Sequence, residues 1–176
     1  IENVHFLNDP VLQRRVIEQV VSYCKQYEIV TRISLWPEDI SVKGLEAQQF
    51  LPLYMEFSEK LQRALTDEQC HVAVEHIVYN AGLCWEMLER NTHEVSQHLN
   101  ILYAYWGRNY TEYYENKPDR RAYKALLDWK SQSEQQVTIF EYYSDHFMLS
   151  ELFPPLWHRI QQDVDSYALA NDGILN

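Results

Sequence analysis

Glycine and proline are scarce in this chain, with four glycines and six prolines in 176 residues. A protein of many short strands needs a tight turn at each reversal, and these residues supply most such turns. A hairpin-rich all-β fold is therefore excluded, and long elements are expected. Basic side chains are scarce too. Fifteen lysines and arginines stand against 26 aspartates and glutamates, for a formal charge of -11 at pH 7, and the only adjacent basic pairs are Arg14 with Arg15 and Arg120 with Arg121. Affinity for nucleic acid comes largely from Lys and Arg displacing counterions from phosphate, so nucleic acid and anionic lipid are excluded as partners. The complementary partner is a basic protein.

Cys24, Cys70 and Cys84 are odd in number and form no CxxC, which argues against a disulfide framework and for a reducing compartment. No apolar run approaches the ~20 residues that span a bilayer, and no signal-peptide pattern opens the chain. A cytoplasmic protein with no membrane partner is expected. The signatures G-x-S-x-G, G-x-x-x-x-G-K and G-x-G-x-x-G are all missing, and the isolated glycines cannot build the loops those motifs require.

Two near misses remain among metal motifs. "HEVSQH", residues 93–98, is one residue too long for H-E-x-x-H, and an i, i+5 separation turns the second imidazole by about 140° from the first. His71 and His76 share that faulty spacing. Glu68 and His71 form an E-x-x-H pair, with Glu75 one turn further if the segment is helical. Carboxylate-bridged di-iron bundles need that pair twice, and residues 118–170 hold no second copy. Glu68, His71 and Glu75 are thus the metal candidates, and no metal or cofactor is expected to bind them.

The helical signals are positive. Asn8, Asp9 and Pro10 form a capping side chain followed by a proline at the first turn, and Leu12, Val16, Val20, Tyr23, Cys24 and Tyr27 recur at helical spacing after them. Residues 28–36, "EIVTRISLW", are β-branched, but with no evident partner strand they read as a connection. Pro37, Pro52, Pro118 and the pair Pro154–Pro155 each mark a further helix boundary. Residues 66–90 carry apolar side chains on two arcs, as a helix in the middle of a bundle would. In the stretch 101–117, "ILYAYWGRNYTEYYENK", Tyr103, Trp106, Tyr110, Tyr113 and Tyr114 fall on one helical stripe, which predicts core. Tyr105 lies off the stripe. The fold expected is one all-α domain over 1–176, a bundle of six or seven helices whose central antiparallel hairpin is formed by 66–90 and 93–115.

The functional expectation follows from charge and aromatics. Tyr105, Tyr142 and Tyr143 stand near Glu112, Glu141 and Asp145, and aromatic anchors with a charged rim are what protein interfaces use. These six residues are the candidate partner-binding set of a non-enzymatic inhibitor, immunity-type or adaptor protein. The alternative is a helical-bundle metal-dependent enzyme or small-ligand binder built on the tyrosine-rich seam.

Overall fold

A computed structural model describes residues 7–36, 47–80, 85–89, 96, 98–132, 135–145, 156–168 and 173–175 of the chain; the side chains of 47–51, 86, 132, 168 and 173–175 are not described. It overturns the all-α expectation. The chain is an α/β protein whose helices α1 (Pro10–Gln26), α2 (Ala47–Asp67), α3 (Trp85–Leu88), α4 (Arg120–Gln132) and α5 (Trp157–Ala168) alternate with strands β1 (Arg32–Leu35), β2 (Ala73–Tyr79), β3 (Asn100–Ala104), β4 (Val137–Phe140) and β5 (Gly173–Leu175). The strands form one parallel sheet in the order β1-β2-β3-β4-β5. The expected central hairpin does not exist: its two arms contain β2 and β3, which run parallel with Ile77 beside Leu102 and Val78 beside Tyr103.

Several helix boundaries stand as read. Asp9 caps α1 by accepting hydrogen bonds from the Val11 and Leu12 amides at 2.9 and 3.1 Å, with Pro10 opening the helix. Pro118 and Asp119 precede α4, whereas Pro52, read as a helix boundary, lies inside α2. The expected helix starts at Pro37 and at Pro154–Pro155 lie outside the described residues.

One face of the sheet packs against α2, α3 and α4. That face carries Val74, Val78, Leu99, Ile101, Tyr103 and Ile139, packed against Leu61 and Leu65 of α2, Leu88 of α3, and Leu126 and Trp129 of α4. The opposite face carries Glu75, Ile77, Leu102, Ala104 and Thr138, all buried as well. Its geometry is concave. Arg32 of β1 donates to Thr138 Oγ1 at 3.2 Å and to Gln136 Oε1 at 3.1 Å, and the Trp36 ring lies 5.2 Å from Phe140. On a flat sheet β1 and β4 would stand three spacings, about 14 Å, apart, beyond the reach of one side chain. The sheet must curl, and Arg32 and Trp36 bridge the hollow.

Helix α2 is stitched into the ladder by two side chains that imitate backbone. The Tyr54 hydroxyl accepts from the Ile77 amide at 2.9 Å and donates to the Leu35 carbonyl at 2.7 Å, standing between β1 and β2 where a direct bond would close. On the other edge of β2, Gln62 accepts from the Val74 amide at 2.7 Å and donates to the Val72 carbonyl at 3.1 Å. The helix ends without glycine. Gln69 takes a left-handed backbone (φ 58), and the Cys70 amide returns to the Leu65 carbonyl at 2.8 Å, the bond pattern of a helix stop in which glycine is the usual residue.

Two consequences are measurable. Gln69→Gly should raise stability by about 1 kcal/mol in urea denaturation, because it relieves a left-handed side-chain penalty; a loss would show that the Gln69 side chain is needed. His76 sits between the Tyr54 and Trp129 rings with neither nitrogen hydrogen-bonded, and burial lowers its pKa from 6.5 to about 4, opposed by the Asn100 backbone, which does not reach bonding geometry. The unfolded chain then binds a proton that the folded chain refuses, so this histidine costs nothing above pH 6.5 and roughly 3 kcal/mol once the pH has fallen to 4. The stability difference between the native chain and His76→Leu should therefore grow in favour of the variant across that window. A difference that stays constant with pH would contradict the neutral, buried imidazole.

Candidate functional site

Parallel sheets place their binding and catalytic groups at the carboxyl ends of the strands, where loops and helix N-termini converge. Here the chain leaves β3 through Tyr105 and Trp106. It turns at Gly107, whose φ of +101 is open to glycine and strained for other residues, and it sends Arg108 into the interior. The Arg108 side chain is 1% exposed. Its Nη1 donates to Glu141 Oε1 at 2.5 Å and to the Tyr167 hydroxyl at 3.3 Å, while Nη2 donates to Asp163 Oδ1 at 2.7 Å. Its guanidinium carbon lies 4.2 Å from the Tyr114 ring centre and 4.9 Å from that of Tyr110.

Tyrosines complete the two carboxylates. Tyr110 and Tyr167 donate to Glu141 at 2.7 and 2.5 Å, and Tyr143 donates to Asp163 at 2.8 Å. The Tyr110 hydroxyl also accepts from the Tyr142 amide at 2.9 Å. Burial pushes Glu141 above the usual carboxylate range, against the pull of Arg108 and the two tyrosine hydroxyls. Burial and the neighbouring Glu141 raise Tyr110, Tyr143 and Tyr167 as well. Burial opposes charge on Arg108, but Glu141 and Asp163 outweigh it and the guanidinium stays charged.

The loop from β3 to α4 is held by further backbone surrogates. Asn80, just past β2, pairs with Trp106 as a peptide group would, donating to its carbonyl and accepting from its amide, both at 2.8 Å. Buried Asp119 accepts from the Asn109 amide at 2.8 Å and from the Tyr105 hydroxyl at 3.4 Å.

The six residues proposed from sequence as a partner surface are divided by the fold. Glu141 and Tyr143 are buried in the arginine network. Tyr105 and Tyr142 are partly buried, and Asp145 accepts from the Trp106 indole at 2.9 Å. Glu112 is exposed on the loop after β3. The three metal candidates are not brought together: Glu68 pairs with Lys25 at the surface, His71 is exposed, and Glu75 is buried in β2, where it takes the Ser34 hydroxyl and lies 3.4 Å from Arg32. Among the described residues no three histidine, cysteine or carboxylate side chains converge as metal ligands, and no helix is long and apolar enough to cross a membrane.

Arg108, Asp163 and Tyr167 escaped the sequence reading. The available signal was weak: one arginine within an aromatic run, and an acid and a tyrosine four apart on one helix face.

The network has an open side. A pocket of about 290 Å³ lies between the loop after β3 and α5, lined by Tyr113, Tyr114 and Tyr123, by Glu115, Asp163 and Asp165, and by Arg159. Tyr114, Asp163 and Tyr167 belong both to its lining and to the Arg108 network, so the buried cluster is its rigid back wall. A larger groove of about 1090 Å³ runs along the opposite, amino ends of the strands, past Thr31, Ala73, Asn100 and His71. No family model matches the chain, and no curated protein or solved structure is significantly similar to it.

The network makes a sharp prediction about charge geometry. Arg108→Ala should cost about 3 to 5 kcal/mol in denaturant unfolding, because it leaves two buried carboxylates without their counter-charge. Arg108→Lys should retain little of that stability, since an ammonium cannot bridge both acids while lying flat on the tyrosines. A lysine variant as stable as the native chain would refute the account.

Proposed function

We propose that the protein is a cytoplasmic binding module that engages a basic partner protein, and that the pocket beside the Arg108 network receives a basic group of that partner. One observation carries this reading: among the described residues, four tyrosines and three carboxylates line a cavity whose one lining cation is Arg159, and only Asp163 of the three acids is already paired with Arg108 behind it, in a chain of formal charge -11. A cation is attracted both to the faces of aromatic rings and to carboxylates. A volume of about 290 Å³ lies at the small end of ligand pockets, suited to the head of one side chain.

The surrounding surface fits the same partner. Glu115 and Asp165 are exposed at the pocket, Tyr113 is half exposed beside them, and Glu112 is exposed on the same loop. The burial of Glu141 and Tyr143 moves the recognition surface away from the residues first singled out and onto the face of α5. Their role in this reading is to hold Asp163 and Tyr167 in place. The unpaired thiols of Cys24 and Cys70 fit a reducing, cytoplasmic setting.

Titration calorimetry of the full chain with a basic peptide and an acidic peptide of equal length tests the proposal. The basic peptide should bind and the acidic one should not, and the affinity should fall steadily from about 0.05 to 0.5 M salt as the screening length shrinks. Asp165→Asn should weaken binding about tenfold, or about 1.4 kcal/mol, without changing the unfolding midpoint. Absence of binding, or binding indifferent to salt, would remove the reading.

A further inference from the structure

We infer, on the basis of that reading of the pocket, that the basic group it selects is an arginine guanidinium and not a lysine ammonium. The chain already shows how its walls treat guanidinium groups. Two arginines flank the pocket, and each lies over one of its tyrosines: Arg108 at 4.2 Å from Tyr114, and Arg159 at 4.9 Å from Tyr113. In both cases the group stacks and hydrogen-bonds at once. Arg108 bridges Glu141 and Asp163, and Arg159 Nε donates to the Tyr110 carbonyl at 3.1 Å. Among the described residues no lysine lines the pocket.

The pocket's other rings and acids offer the same pairing, although Tyr113 already takes the Gln162 amide and Asp165 that of Gln161. Arg159 lies over the Tyr113 ring, which is nevertheless 50% exposed. Tyr123 meets Tyr114 at 5.4 Å and an angle of 51°. Asp165 and Glu115 supply acceptors near these rings. A planar guanidinium can lie on a ring face and direct its fork of N–H donors in the ring plane toward carboxylates, whereas an ammonium is a compact, strongly hydrated charge that must choose one contact and shed water to make it. A bare metal ion is a poorer fit still, because among the described residues the carboxylates do not converge on one point as ligands.

The test uses the full chain and three capped pentapeptides, Gly-X-Gly-X-Gly, with X arginine, lysine or citrulline, titrated at low salt by calorimetry. The arginine peptide should bind about tenfold more tightly than the lysine peptide, a difference within the range of one partly desolvated cation–ring contact. The citrulline peptide, of the same shape but uncharged, should not bind measurably. Tyr113→Ala should reduce the arginine affinity to that of lysine while the unfolding midpoint holds. Equal arginine and lysine affinities would overturn the guanidinium inference and leave the basic-partner reading standing. Failure of both cationic peptides to bind would overturn both. A preference for arginine that survives in both Tyr113→Ala and Tyr123→Ala would overturn the stacking mechanism and the inference with it.

Discussion

The carboxyl end of this sheet depends on one buried positive charge. Arg108 has almost no contact with solvent, and an isolated guanidinium in that position would not be tolerated. Its two carboxylates come from different elements: Glu141 directly follows β4, and Asp163 lies in α5. The charge therefore fixes the loop after β3, the end of β4 and the helix after β4 against one another. Each carboxylate in turn needs donors for its remaining lone pairs, and Tyr110, Tyr143 and Tyr167 provide them. The tyrosines gathered at this end of the sheet serve the buried ion cluster, because a side chain that packs as a ring and donates at its tip can line both an apolar core and a carboxylate.

The rest of the fold shows a related economy in satisfying backbone groups. Gln62 and Asn80 each present a carboxamide where a neighbouring peptide would stand, and Tyr54 inserts a hydroxyl into the ladder between β1 and β2. Such replacements let a parallel sheet curl and its edges part without leaving N–H and C=O groups unpaired. The loop after β3 meets α5 beside the strand ends. The candidate pocket occupies that meeting place, backed by charge-paired residues that cannot move independently.

The strands were hidden from the sequence for reasons specific to parallel sheets. Residues 73–79 read as a helix apolar on two sides because β2 is buried on both faces, with Val74, His76 and Val78 on one and Glu75, Ile77 and Tyr79 on the other. A strand buried on both faces loses its alternation and resembles a buried helix. The scarcity of glycine, rightly read as excluding hairpins, does not exclude parallel strands, since these are joined through helices. The break between α2 and β2 carried no glycine to announce it, because Gln69 fills the left-handed position. The site was obscured in the same way: Tyr105, Glu141, Tyr142, Tyr143 and Asp145 do gather at the carboxyl ends of β3 and β4, but which of them face solvent depends on Arg108, a residue with no motif around it.

What the sequence determined by itself were properties that are local or additive. The cap at Asp9 and Pro10, the start of α4 after Pro118 and Asp119, and the acidic charge are set by neighbouring residues or by simple sums. What only the tertiary structure decided were strand against helix at 73–79 and 100–104, and buried against exposed at Glu141 and Tyr143. Those outcomes are set by partners far along the chain. Val78 is paired by Tyr103, and Glu141 is neutralised by an arginine 33 residues away. Periodicity records which residues prefer to be buried, but burial on both faces erases it, and no local pattern reveals which distant charge will meet a buried acid.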